Sequence, residues 1–279
     1  VDRSPGENSE QLGLDELVQS AQRRDRSARS SRSEQRERKG VFRTIVQVFG
    51  ELLITLGVVL MLFVGWELWW TNISADQTQQ QAAQQFAQQL GGPVTPSTTP
   101  KNYGAPVVTK APAADLDVFG LVYIPRFGPN YAPRPLVQGT NQQELDTLGL
   151  GHYPSTAMPG AVGNFAVAGH RQTHGAVLDN IHTLVPGDKI YVQTKDGYYT
   201  YVFRNTEIVL PTQTSVLLPV PTLKNAKPQE RIMTMTSCNP RFGAQERIIA
   251  YSVMESWQPL SAGPPAAIAA QAAAIAKKG

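Results

Sequence analysis

The sequence predicts a mainly β domain at residues 116–258, carried behind a single membrane-spanning helix at 44–70. Three observations predict it. An apolar run without a charge at its centre is long enough to cross a bilayer, which takes roughly 20 such residues. Beyond residue 116, short runs rich in Val, Ile, Tyr and Phe alternate with Gly, Pro, Asn and Asp punctuation, as strands and turns do. Between the two lies a stretch poor in aliphatic side chains, which cannot build a core of its own.

Residues 1–43 are polar and charge-dense, and from Arg23 to Arg43 most of the charges are Arg. Arg interleaved with Ser also occurs in nucleic-acid-binding segments. Here the stretch abuts the apolar run and contains Asp25, Glu34 and Glu37, so topology and attraction to anionic lipid explain it more simply. These 43 residues hold ten of the 25 basic and eight of the 22 acidic side chains, which leaves the rest nearly neutral. No nucleic-acid partner is expected. Because the first residue is Val1 and not Met, the natural start is expected upstream.

The run TIVQVFGELLITLGVVLMLFVGWELWW spans 44–70, and its portion Leu52 to Trp66 carries no charge. Glu51 and Glu67 flank that portion near the ends, where a carboxylate reaches headgroups at lower cost than at the centre. Trp66, Trp69 and Trp70 crowd one end as an interfacial belt does. A signal peptide starts earlier and ends in small residues. A soluble core helix keeps a polar stripe, which the central fifteen residues lack. No Lys or Arg occurs between Thr71 and Pro100, so the expectation is a single-pass protein of the cell membrane, N-terminus cytoplasmic and the β domain extracellular.

Residues 71–115 read as a Gln/Pro/Thr-rich extracellular linker. Its first part, DQTQQQAAQQFAQQL at 76–90, suits a polar juxtamembrane helix, and 91–114 carries scattered Pro, Thr, Gly and Ala that favour an extended chain. Within 116–258 the expected strands are Phe119–Ile124, Pro135–Gln138, Asn164–Ala168, Lys189–Thr194, Tyr198–Leu210, Ile232–Thr236 and Arg247–Met254. Lys195-Asp196-Gly197 joins two of them as a hairpin turn. Short helices are expected at Asn141–Leu148, with Asn141 as cap, and at Val177–His182. Many short strands with few helices suggest a small barrel or a sandwich. The remaining 259–279 is an Ala-rich tail too short and too weakly apolar to span a membrane.

Cys238 is the only cysteine, so no disulfide forms within the chain and no cysteine-based zinc site can be built. A lone cysteine is either a small buried hydrophobe or a reactive thiol. Its setting favours presentation, because Asn239-Pro240 ends the alternating strand and leaves the thiol at its tip. A thiol needs a base or a cationic neighbour to react near neutral pH. His170, at the end of NFAVAG, and Arg247, nine residues beyond the cysteine, are the candidates.

TMTSCNP with the following Arg247 resembles the signature of the sortases, T-L-x-T-C and an arginine after a short loop, and AGHRQTHG resembles the segment carrying the sortase histidine. The likeness covers residues 116–258, and the basic tail, span and linker before it match membrane-anchored members. GLGHYPSTAMPG, AGHRQTHG and TSCNPRFGAQERIIAY look most like class E enzymes of actinobacteria, with class D next. Two positions depart from the signature, Met235 where Leu is usual and Ser237 where Thr is usual, both keeping size and polarity roughly.

The resemblance implies a closed eight-stranded β-barrel and a cysteine transpeptidase needing no cofactor. Cys238 would attack the Thr–Gly bond of a C-terminal sorting signal, His170 would move protons, and Arg247 would bind substrate backbone and oxyanion. Tyr153, Thr236 and Ser237 are expected to contact substrate, Tyr153 by favouring LAXTG over LPXTG signals. The implied partners are surface proteins bearing the signal and the amine of a peptidoglycan precursor. A pilin lysine is the alternative, although residues 91–118 lack the Asp-Pro-aromatic lid motif of pilus enzymes. A third reading is an anchored binding module with an inert cysteine. The long segment Pro211–Glu230 is expected to wall a groove. No metal is expected, since a His170/His174 pair lacks further ligands and its Gly175-containing loop does not guarantee helical spacing. His152 and His182 have no assigned role.

Overall fold

The structure, a computed structural model, describes residues 7–91, 95–96 and 102–277. Part of the expected linker (92–94 and 97–101), and most side chains of the Arg-rich tail, lie outside the described residues. The chain divides into two compact units, 1–66 and 67–279.

Helix α1 (Glu7–Leu90) contributes to both. Within the first unit its apolar side chains stand exposed, Ile54 at 70% and Met61 at 78% among them. No described residue of that unit buries them, which suits a helix whose solvent is lipid. Among the described residues it is the one helix long and apolar enough to cross a membrane.

The second unit is a closed barrel in the order β1-β2-β3-β4-β7-β8-β6-β5. Its strands are β1 (Val118–Tyr123), β2 (Arg134–Gln138), β3 (Leu150–His152) and β4 (Gly163–Ala168). They continue with β5 (Lys189–Thr194), β6 (Gly197–Val209), β7 (Arg231–Asn239) and β8 (Glu246–Pro259). Closure leaves no unpaired edge, and it decides between the barrel and the sandwich that strand patterning left open. Seven strands fall where expected. β3 was not expected, because three residues are too few to show alternation. It pairs parallel to β2 and antiparallel to β4. The parallel step needs a crossover, which α2 (Gln142–Leu148) supplies. Asn141 stands at the α2 N-cap position, but its side chain makes no capping bond. The expected helix at Val177–His182 is a 3-10 turn over Asp179–Thr183.

The barrel interior is filled by alternate residues, among them Val122, Phe165, Val167, Met233, Met235, Ile248 and Ala250. The outward face of β1 is buried as well. Leu121 and Tyr123 pack with Tyr191 and Tyr198 under Ala83, Phe86 and Ala87 of α1, Ile268 of the 3-10 turn Ala266–Ile268, and Ala272 and Ile275 of the chain's last helix, α3 (Ala269–Lys277). The expected spacer and tail are therefore, where described, parts of the folded unit. Their pattern was legible only in retrospect, since Ala75, Gln79, Ala83, Phe86 and Ala87 form a helical stripe in a Gln-rich background. Burying Phe86 contributes about 1.5–3 kcal/mol. The buried Arg134 also pairs with Asp76 and donates to Gln79 Oε1 at 3.0 Å, so polar contacts accompany the apolar stripe in the docking. Residues 104–109 also lie along the barrel, where Thr109 N–H donates to Pro159 O at 3.1 Å and Tyr199 OH to Val107 O at 2.6 Å.

His152 on β3 is buried, stacked on Phe165 with ring centroids 5.4 Å apart, and its Nε2 lies 3.1 Å from Ala157 O. Burial holds its pKa down at about 4. Between pH 6.5 and 4 the unfolded chain binds a proton that the folded chain refuses, so stability falls as pH falls through that window. The expected loss is ~3 kcal/mol on going from pH 7 to 4. Urea titrations at both pH values check this. A His152→Gln protein losing as much stability on acidification as the wild type would refute it.

Candidate active site

Cys238 stands one residue before the end of β7, and the pairing on either side decides its neighbours. On one side β4 runs parallel to β7 with Ala168 opposite Thr236. Both chains continue two residues beyond that pair, to His170 and Cys238. The contact is maintained that far, for Gly169 N–H donates to Thr236 O at 3.1 Å and Ser237 Oγ donates to Gly169 O at 2.8 Å. On the other side β8 runs antiparallel, with Arg247 directly opposite Cys238. Sheet order therefore reads His170, Cys238, Arg247.

Alternation sorts the side chains by face. Met233 and Met235 point into the barrel, so Thr234, Thr236 and Cys238 share the outer face. Residues directly opposite across strands share a face, which puts Arg247, Ile249 and Tyr251 there too. Tyr153 joins this face, its OH lying 3.0 Å from Thr236 Oγ1. Ser237 does not. Its side chain is buried and its hydroxyl is spent on Gly169 O, where it ties β7 to the residue preceding His170. The thiol of Cys238 is half-buried.

Arg247 Nη1 donates to Ala244 O at 2.9 Å and Glu246 O at 2.8 Å. The guanidinium's other N–H groups make no hydrogen bond among the described residues. His170 Nε2 lies 2.6 Å from Asp146 Oδ1 on α2. A carboxylate only accepts, so Nε2 carries the proton and Nδ1 is the basic nitrogen of the neutral ring. Sequence reading missed Asp146, which lies in an ordinary helical stretch with no motif. It also missed Arg171, which stands in AGHRQTHG directly after His170. Arg171 Nη1 donates to Cys238 O at 3.2 Å and to Asn239 Oδ1 at 2.5 Å, holding the tip of β7 against the histidine loop.

That loop is also held by α1. Asn72 Nδ2 donates to Gln172 O at 3.1 Å, Asn72 Oδ1 accepts from Gly175 N–H at 3.0 Å, and Gln79 Nε2 donates to His174 O at 2.9 Å. His174, Gly175 and Ala176 all have positive φ. At Gly175 a Cβ would lie 2.7 Å from Gln79 Oε1, so glycine permits both the backbone and the approach of α1.

Part of the segment 211–230 borders the same outer face. Val216 packs with Ile249 and Tyr251, and Asn164 Nδ2 donates to the carbonyls of Val216 and Leu218 at 3.0 and 3.1 Å. The other histidines lie elsewhere: His152 is buried in β3, and His182 is on the 3-10 turn with Nδ1 3.1 Å from Asp179 O.

The sequence pattern of the sortase domain matches residues 122–255. Sortase SrtE1 of Streptomyces coelicolor is 35% identical over 230 residues, covering 80% of this chain and 60% of that protein. The chain thus spans less than two thirds of that relative's length. Sortase SrtE2 of the same organism is 31% identical over 215 residues, which cover 74% of this chain and 80% of the relative. Among solved structures, the SrtA sortase from Actinomyces oris superposes with a TM-score of 0.57 at 34% identity, over 60% of this chain and 96% of that one.

Proposed function

The chain belongs to the sortase family, and from that premise we propose that it is a membrane-anchored cysteine transpeptidase. It cuts a C-terminal sorting signal of LAXTG or LPXTG type between Thr and Gly and passes the protein to an amine of a cell-wall precursor. The observation that carries this reading is the juxtaposition of Cys238 with His170 through β4 and with Arg247 through β8.

The Cys238 thiolate attacks the Thr carbonyl, giving a tetrahedral oxyanion that collapses to a thioacyl enzyme. His170 Nδ1 takes the proton of the Cys238 thiol as the thiolate forms, delivers it to the departing glycine amine, then accepts one from the incoming amine. Asp146, accepting from Nε2–H, orients the ring and fixes its tautomer. Arg247 does not deprotonate, so it serves as a donor to the oxyanion and the substrate backbone. Tyr153 and Thr236 line the approach to the thiol, and the segment at 214–218 flanks it. Ser237 acts on the substrate only through the loop it ties down. The apolar helix preceding the barrel is the anchor, and the Arg excess before it puts the N-terminus in the cytoplasm.

Incubation with LAXTG and LPXTG peptides and candidate amines, read by mass spectrometry, tests the proposal. The expected products are a thioacyl adduct on Cys238 and an amine-linked peptide; hydrolysis alone, without either, would mark a peptidase instead. A backbone N–H preceding the X position exists with Ala and is missing with Pro, and the Tyr153 phenol can accept from it. Tyr153→Phe is therefore expected to lower the LAXTG to LPXTG rate ratio about fivefold or more, the yield of one lost hydrogen bond. An unchanged ratio removes Tyr153 from substrate selection.

A further inference from the structure

The histidine loop holds a group that the transpeptidation chemistry does not use. His174 Nδ1 is buried with no hydrogen-bond partner, and it lies 3.5 Å from Asp146 Oδ1. The same carboxylate oxygen sits 2.6 Å from His170 Nε2, and the two imidazole rings are 5.1 Å apart. One ligand atom from each of Asp146, His170 and His174 lies within 4.8 Å of the others. Sequence spacing offered only the two histidines. The fold adds the carboxylate, from α2, and α1 holds the loop in the positive-φ path that turns His174 toward it.

We propose that Asp146, His170 and His174 form a binding site for a divalent cation of the zinc class, and that the bound ion switches the enzyme off. Two nitrogens and one carboxylate oxygen are the donor set zinc takes when one position is left for water or another ligand. Bonds of about 2.0–2.1 Å in tetrahedral array place donor atoms about 3.3 Å apart. The His174 Nδ1 to Asp146 Oδ1 separation already meets this, and the hydrogen-bonded His170–Asp146 pair needs to open by less than about 1 Å. Binding at His170 Nε2 shifts the ring's proton to Nδ1 and replaces the hydrogen bond to Asp146. The imidazole is then fixed on the metal and cannot become the imidazolium that protonates the leaving amine. The inhibitory consequence rests on the transpeptidase reading of His170, whereas binding does not.

The experiment therefore reads binding separately from turnover. Co2+ is titrated into the full-length Cys238→Ala protein in detergent, and Zn2+ is used to displace it. One equivalent is expected to give the intense visible absorption of a low-symmetry four- or five-coordinate site, lost on adding Zn2+. His174→Asn, chosen because Asn accepts positive φ, and Asp146→Asn are each expected to weaken binding at least about tenfold. In the otherwise wild-type enzyme, Zn2+ is expected to inhibit and a chelator to restore activity. His174→Asn, with metal-free turnover like the wild type, is expected to resist that inhibition. Absence of Co2+ binding to the Cys238→Ala protein overturns the site and leaves the transpeptidase reading intact. Binding unchanged in His174→Asn also overturns it, and Zn2+ inhibition that persists there assigns the ion to the thiol instead.

Discussion

Replacing Cys238 with alanine is expected to abolish the thioacyl adduct and the amine-linked product together, a loss on the order of 10^3-fold or more in turnover. The size follows from covalent catalysis. The thiol splits amide exchange into two easier steps, and no other group in the assembly can form the acyl enzyme. Arg247 is a donor only, and His170 is committed through Nε2 to Asp146. Serine at the same position is expected to recover little, since a hydroxyl is far less ionised than a thiol near neutral pH. Intact-mass spectrometry after incubation with peptide, without added amine, reads the first step directly. An adduct on the alanine protein would remove Cys238 as nucleophile. Because Cys238 is the only cysteine, a membrane-impermeant thiol reagent applied to intact cells also reports the side of the membrane on which the barrel lies.

The second large effect is expected at Arg247. Truncation to alanine is expected to lower kcat about 10^2–10^3-fold, the usual consequence of losing an oxyanion donor, with a smaller change in KM. It stands opposite Cys238 in β8, and its two bonds to the Ala244 and Glu246 carbonyls fix the guanidinium on that strand end. Lysine is expected to rescue poorly, because an ammonium is a point charge and cannot span those carbonyls and the substrate with one rigid fork. The alkylation rate of Cys238 serves as the control. If Arg247→Ala slows alkylation as much as turnover, the arginine acts on the thiol and not on the oxyanion.

Much of the candidate site was legible before the fold. Cys238 announced itself by being alone and by preceding Asn239-Pro240, and the hairpin at 195–197 and seven of the eight strands followed from alternation and turn residues. Ser237 was expected among the substrate contacts; a linear motif does not state which face of a strand a residue occupies, and alternation turns this side chain away from the Cys238 face, onto Gly169 O. Residues 76–90 and 268–275 were set aside as spacer and tail because Gln- and Ala-rich stretches carry weak apolar periodicity. Their stripe becomes meaningful only once the outward side chains of β1, β5 and β6 are known to need cover.

By itself the sequence determined the membrane span, the order of strands and the chemical types available for catalysis, since these depend on local composition and on periods of two or 3.6 residues. Only the tertiary structure decided which of those groups meet. His170 and Cys238 are brought together by the parallel pairing of β4 with β7, and Asp146 reaches the histidine loop because α2 is the crossover between β2 and β3. Such contacts join residues tens of positions apart through backbone hydrogen bonds that any side chain can accompany. No local pattern therefore encodes them, and closure of the barrel fixes them all at once.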